Sequence, residues 1–330
     1  GRKSIVLALS GLDGKGFVSG LVRMLFVFYA KLYFAVSSAV CRQQELAADA
    51  AAARVAGTEA AASALREVET LAVSWKFFMN TYAGIGWNAG YLPSRFAQGF
   101  RSLLADDTRA KEIDEVRRNL PEEKTSRYDS HPATHERIAA LHALPELPMR
   151  PGDDVPASEI LRDAAGLLDQ ALLTNLSDEA KRKKRTDWET LVDVGIRHDI
   201  AETASKILGA RTLGDLLDLL DAGRAVELAD PDEKPPATAG PRAQREFFAT
   251  SIRERLSIVA SLALADAGAA RWALSWSGPA EFVVAEPHRD ALTPALDAAT
   301  AVEADTAPLR ALLAAAGVPA GYRPAVPARS

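Results

Sequence analysis

Three charged residues on one predicted helix have the types and the spacing of a metal-site face. Arg42, Glu45 and Asp49 are three and four residues apart within an alanine-rich segment. On an α-helix this spacing puts the three side chains on one side. A glutamate can ligate catalytic zinc beside histidines, and a second acid can orient a ligating histidine. From spacing alone, a solvent-exposed charged helix face is the simpler interpretation.

A second segment downstream changes that interpretation. It runs from Ser130 to Leu141 and reads SHPATHERIAAL. Together with R-x-x-E-x-x-A-D-x-x-A on the first helix, it resembles two ordered motifs of the zinc metallopeptidase family of CAAX prenyl proteases and HtpX. In that family the HP…ERI…L segment follows the helix that carries the third zinc ligand. The resemblance covers roughly residues 20 to 145, with a helical spacer between the two motifs.

The resemblance implies a role for each matching residue. Glu45 matches the glutamate that ligates zinc, and Asp49 matches the acid that supports a zinc-binding histidine. His131 matches the histidine that approaches the substrate or its tetrahedral intermediate, and Arg137 matches an arginine that pairs with acids near the site. The implied cofactor is one Zn²⁺, which activates a water molecule to hydrolyse a peptide bond.

The HExxH helix that carries the other two zinc ligands in this family is absent from the sequence. His135 begins a similar string, but Ala139 stands where the second histidine would be. A zinc pair formed by His131 and His135 is an alternative that the HP context disfavours. The family places HExxH before the glutamate helix, and the residues before Glu45 contain no histidine. We therefore expect the two histidines upstream of this chain, in a longer protein.

These residues predict a zinc metalloendopeptidase whose 330-residue portion is by itself inactive. Its partner would be a protein or peptide substrate. The alternative is a catalytically inactive homologue that acts as an interaction or scaffold protein. The net charge is −5, so no general basic field predicts a nucleic-acid partner. The single cysteine excludes an internal disulfide and a cysteine-based zinc cluster.

The most apolar stretch, residues 17–40, is long enough to cross a membrane as a helix. Arg23 and Lys31 interrupt it, and charges at mid-membrane depth are costly. A buried or interface-lying helix and a true membrane span therefore both remain open. We expect membrane association, and by family analogy a bacterial cell membrane with the active site facing the cytoplasm.

The abundance of alanine and the scarcity of β-branched runs predict a mainly α fold. By resemblance, residues 1–150 form the second half of a gluzincin-type metallopeptidase domain. Residues 151–236 are predicted to be a helical accessory region and 237–330 an α+β region, with a small β-hairpin between Arg271 and Ala285. The basic run 181–185 could meet anionic lipid or nucleic acid, although a solvated helix end is the simpler interpretation.

Overall fold

The computed structural model describes residues 17–119, 124–145, 148, 156–229, 234 and 240–325. The chain is mainly α-helical with a few short strands, which confirms the fold class predicted from composition. Its helices are α1 (Phe17–Ala56), α2 (Thr58–Phe78), α3 (Phe96–Ala105), α4 (Asp107–Arg118), α5 (Thr134–His142), α6 (Ala164–Asn175), α7 (Asp178–Arg182), α8 (Trp188–Leu208), α9 (Leu213–Asp221), α10 (Pro241–Asp266), α11 (Leu292–Thr300) and α12 (Ala307–Ala315).

Short elements join these helices. A π-helical turn, Met79–Ala83, continues α2, and 3₁₀ turns lie at Ala157–Ile160 and Ala225–Leu228. The strands are β1 (Tyr91–Pro93), β2 (Lys184–Thr186), β3 (Ala270–Ala273) and β4 (Glu281–Val284). β3 and β4 pair antiparallel, which confirms the predicted hairpin. β1 and β2 pair parallel, and the sequence patterns did not predict that pairing.

The chain forms two compact units. The first contains Gly1–Trp75 and Lys111–Ile160, and the second contains Lys76–Ala110 and Leu161–Ser330. Helices α2 and α4 each contribute residues to both units. The predicted domain boundaries at residues 150 and 236 lie outside the described residues, so that three-part division stays a prediction.

The first unit packs α1, α2 and α5 around small side chains. α1 ends before Gly57, whose φ of 95° is left-handed, and α2 begins at Thr58. Ala53, Ala62 and Leu141 are almost fully buried where these helices meet. Because alanine has only a methyl group, the helix backbones approach closely, and this packing places the polar face of α1 beside α5.

From Met24 to Val40, α1 is rich in exposed apolar side chains. Met24–Ala56 is the helix among the described residues that is long and apolar enough to cross a membrane, and 11% of its apolar window is buried. Phe28 is 68% exposed, and the other large apolar side chains named next are each more than half exposed. They are Met24, Leu25, Tyr29, Leu32, Val36 and Val40.

The second unit has the larger core, built mainly from α8 to α12 with Ala270 of β3 and Val284 of β4. Leu208, Leu220 and Leu256 lie in this core at 2% exposure or less. Asp187 caps α8, because its Oδ1 accepts a hydrogen bond from the backbone N–H of Thr190 at 2.9 Å.

Candidate active site

The central contact of the first unit joins α1 to α5. Arg137 donates from Nε to Oδ2 of Asp49 at 2.8 Å and from Nη2 to Oδ1 at 2.7 Å. The side chains are 19% and 10% exposed, respectively. Two parallel hydrogen bonds between a guanidinium and a carboxylate fix both position and orientation. This pair therefore sets how α5 lies against the polar face of α1.

Glu45 lies one helical turn before Asp49 and contacts the same arginine. Its Oε2 is 3.3 Å from Nη2 of Arg137, and its Oε1 is 3.0 Å from Nδ1 of His131. The Glu45 side chain is 30% exposed and that of His131 is 68% exposed. The structure thus brings together the four site residues predicted from the sequence. Their individual roles stay predictions.

The electrostatics of the cluster favour the charged form of the arginine. Hydrogen bonding to Asp49 raises the pKa of Arg137, and the charges of Asp49, Glu45 and Glu69 raise it further against the opposing effect of burial. Arg137 is therefore a permanent cation between carboxylates. Its positive charge offsets the repulsion between the carboxylates of Glu45 and Asp49, which the helix places on one side.

The segment that carries His131 is tied to α1 by two residues whose role the sequence analysis missed. Ser38 Oγ donates to the carbonyl oxygen of Tyr128 at 2.7 Å. Arg42 Nη1 donates to the carbonyl oxygen of Asp129 at 2.7 Å, with longer bonds to two neighbouring carbonyls. Arg42 shares the face of Glu45, as predicted, and its guanidinium binds the backbone carbonyls of the segment before His131. Its spacing from Glu45 was visible in the sequence, whereas its partners were not.

The start of α5 is held by Thr125. Its Oγ1 donates to Oε2 of Glu136 and accepts from the backbone N–H of Ala133, both at 2.7 Å. This bridge closes the chain from 125 to 136 into a compact turn. His131 projects from that turn toward Glu45.

A cleft of about 710 Å³ opens beside His131 and Arg137, entirely within the first unit. One wall is formed by α2 and the other by the 124–134 segment. Its lining is mixed, with apolar side chains next to Glu69, Lys124 and Asp129. The apolar members include Val68, Ala72, Val73, Tyr128 and Pro132. A peptide segment could lie in this cleft with its backbone next to His131.

The described residues fit one position of a catalytic zinc site. Such a site takes three protein ligands, and the described parts of the chain hold no group of three or more His, Cys, Asp or Glu side chains placed for a metal. The two oxygens of Glu45 lie beside His131 and Arg137, and both oxygens of Asp49 accept from Arg137. These residues alone do not complete a zinc site.

Comparison with known proteins supports the class of the first unit. Residues 3–144 match the model of Peptidase family M48. The M48 match includes both motifs and all four residues of the cluster, and it ends within two residues of α5. It spans less than half of the chain, and it supports a metallopeptidase domain there and peptidase as the class of activity. No curated protein and no solved structure matches the chain.

Proposed function

We propose that this chain contributes the glutamate-bearing half of a membrane-associated zinc metalloendopeptidase. The observation that carries the proposal is the position of Glu45, whose carboxylate lies 3.0 Å from His131 and 3.3 Å from Arg137, two residues that line an open cleft. The M48 match over the same residues supports it. The exposed pair of Arg117 with Glu67, also in the first unit, does not line this cleft.

Each of the four residues has a proposed task. Glu45 is the zinc ligand of this chain, and Arg137 holds its carboxylate in place. Asp49 anchors Arg137 and would support a zinc-bound histidine. His131 is exposed toward the cleft, where its imidazole can donate a hydrogen bond to the carbonyl oxygen of a bound peptide as negative charge develops there.

The remaining zinc ligands are proposed to come from a segment that precedes residue 1. The resemblance places two histidines of HExxH before the glutamate helix, and residues 1–44 contain no histidine. The glutamate within HExxH would be the general base. For the 330 residues alone we expect weak zinc binding and no zinc-dependent peptide hydrolysis.

The membrane part of the proposal rests on α1. Its exposed apolar side chains between Met24 and Val40 suit a lipid environment better than water. We propose a bacterial cell membrane as the location and a cytoplasmic orientation of the site.

The test uses the product of the whole gene, including any residues encoded before Gly1. The variant Glu45→Gln keeps the shape of the side chain but removes the charge that binds zinc. The matched control is Glu59→Gln, on the next helix, where an 82% exposed carboxylate pairs with His142. We expect one zinc per chain in the parent and the control, loss of zinc in Glu45→Gln, and loss of casein hydrolysis with it. Unchanged zinc content in Glu45→Gln would overturn the ligand role.

A second function is favoured by one observation, namely that the 330 residues contain no HExxH. In that case the chain is an inactive homologue that serves as an interaction or scaffold protein. The same experiment separates the two. If the whole gene product folds but contains no zinc and does not hydrolyse casein, the result supports the scaffold function and rejects the peptidase.

A further inference from the structure

Five consecutive basic residues, Lys181 to Arg185, lie on a surface of the second unit that the proposed peptidase does not use. The run crosses two elements. Its first two residues end α7, and the last two belong to β2. The sequence favoured a solvated helix end, but two of the five residues belong to a strand and are therefore held in an ordered sheet.

The parallel pairing of β1 with β2 places aromatic rings beside these cations. Tyr91 is opposite Lys184, and the backbone N–H of Lys184 donates to the carbonyl oxygen of Gly90 at 2.9 Å. The Lys184 ammonium lies 5.9 Å from the Tyr91 ring centroid, and that of Lys183 lies 4.6 Å from the centroid of Trp87. A cation within about 6 Å of an aromatic face is attracted to it. The rings thus hold two lysines in place without neutralising them.

Carboxylates balance only part of this charge. Asp178 is 3.9 Å from Lys181, and Glu179 is 3.7 Å from Lys183. Both carboxylates are more than half exposed, so these pairs contribute little. Five basic side chains thus face two acidic ones, in a chain whose net charge is −5.

Arg185, the last of the five basic residues, is partly buried. Burial lowers its pKa. Its Nη2 donates to the carbonyl oxygen of Ala180 at 3.3 Å, and its Nη1 is buried without a hydrogen-bond partner among the described residues. No carboxylate offsets this guanidinium in the described part of the chain, so its charge adds to the positive potential outside.

Three of these cations, Arg182, Lys183 and Lys184, line a cleft of about 500 Å³, which we call the basic cleft. It lies within the second unit. Its lining comprises Arg182, Lys183, Lys184, Glu179 and Tyr91, with Ala89 and Gly90. We propose that the basic cleft binds the phosphate headgroups of anionic lipids at a membrane surface.

Three observations favour a lipid surface. Arginine and lysine are the side chains that bind phosphate oxygens. Tyr91 and Trp87 are of the aromatic types enriched at the membrane–water interface. The same chain carries an exposed apolar helix of membrane-spanning length. A nucleic acid would require a more extended basic surface than the acidic chain offers.

The test measures flotation of the full chain with vesicles of phosphatidylcholine, with and without phosphatidylglycerol. The variant replaces the three most exposed cations, as Lys181→Gln, Arg182→Gln and Lys184→Gln. The control removes the same charge at exposed sites elsewhere in the second unit, as Lys206→Gln, Arg242→Gln and Arg289→Gln. Binding to neutral vesicles reports α1 alone, and zinc content is not involved, so failure here is separate from failure of the peptidase.

We expect phosphatidylglycerol to increase binding of the parent and the control, and added salt to reduce that increase. Each basic residue near an anionic surface strengthens binding about fivefold. The variant that lacks three cations of the basic run should therefore lose about a hundredfold of the gain in binding that phosphatidylglycerol gives the parent. Equal loss in both variants would overturn the proposal, because it would reflect net charge alone. Displacement by inorganic phosphate at constant ionic strength, or a variant-sensitive shift of single-stranded RNA, would also overturn it by assigning another ligand.

Discussion

Arg137 and Asp49 form a two-point ion pair, with Nε 2.8 Å from Oδ2 and Nη2 2.7 Å from Oδ1, across 88 residues of sequence. The same guanidinium lies 3.3 Å from Glu45. The pair therefore does two things at once. It fastens α5 to α1, and through Arg137 it fixes the position of the Glu45 carboxylate, which we propose as a zinc ligand.

Removing one partner of this pair should destabilise the first unit. Asp49→Ala leaves a largely buried guanidinium without its carboxylate, which costs about 3 kcal/mol in the free energy of unfolding. Glu67→Ala is the matched control, because Glu67 also binds an arginine at two points but is 41% exposed. That change should cost under about 1 kcal/mol. Amide hydrogen exchange in α5 measures both, and equal effects would contradict the structural role.

His131 should matter for catalysis and not for folding. It is 68% exposed, so His131→Ala should change the free energy of unfolding by less than about 0.5 kcal/mol. If it donates to the developing oxyanion, kcat should fall by about 10²–10³. The assay is casein hydrolysis by the whole gene product, with zinc content measured in parallel. His142→Ala, which removes an imidazole paired with Glu59, is the control and should keep full activity. Loss of zinc in His131→Ala would point to a ligand role instead.

The apolar half of α1 should govern binding to neutral vesicles. Phe28→Asp places a carboxylate in that half, and a charge in the apolar layer costs about 3 kcal/mol, or about a hundredfold in partition. Val55→Asp is matched to it, since both side chains are 68% exposed on the same helix. Val55 lies beyond the apolar half, so its replacement should leave partition unchanged. Flotation with phosphatidylcholine vesicles measures both. Equal partition of the two variants would show that α1 does not enter the bilayer.

Acid should weaken the cap of α8 in a predictable pH range. The hydrogen bond from the backbone N–H of Thr190 lowers the pKa of Asp187 below its ordinary value of 3.8. A carboxyl with a lowered folded-state pKa stabilises the fold above its unfolded-state pKa, and that contribution disappears as pH falls through the folded-state value. Asp187→Ala should thus cost about 1 kcal/mol at pH 7, and less as pH falls below about 4.

Urea denaturation followed by circular dichroism at pH 7 and at low pH measures this difference. Asp178→Ala is the control, because Asp178 is 93% exposed at the start of a short helix and pairs loosely with Lys181. Its effect should be small at both pH values. A cost for Asp187→Ala that is the same at both pH values would contradict the charge-based cap.

Local features of this protein were readable from the sequence. The four-residue spacing of Glu45 and Asp49 put them on one helix face, and Gly57, a residue that tolerates its φ of 95°, follows the end of α1. The resemblance predicted His131 and Arg137 as further site residues, and the structure places them 3.0 Å and 3.3 Å from Glu45, while their roles stay predictions. These predictions succeed because helix periodicity and glycine stereochemistry act over a few neighbouring residues.

Tertiary structure decided the rest. The folded chain forms α4 at Asp107–Arg118, and further on a turn whose carbonyl oxygens accept hydrogen bonds from Ser38 and Arg42. The strand pairing that places Tyr91 beside Lys184 was likewise invisible. Every residue carries a backbone carbonyl, so the residue type does not reveal which carbonyl will accept a hydrogen bond. A strand of three residues is too short to show an alternation of apolar and polar side chains. Which distant segments meet is determined by packing of the whole unit, so residue types alone could not place them.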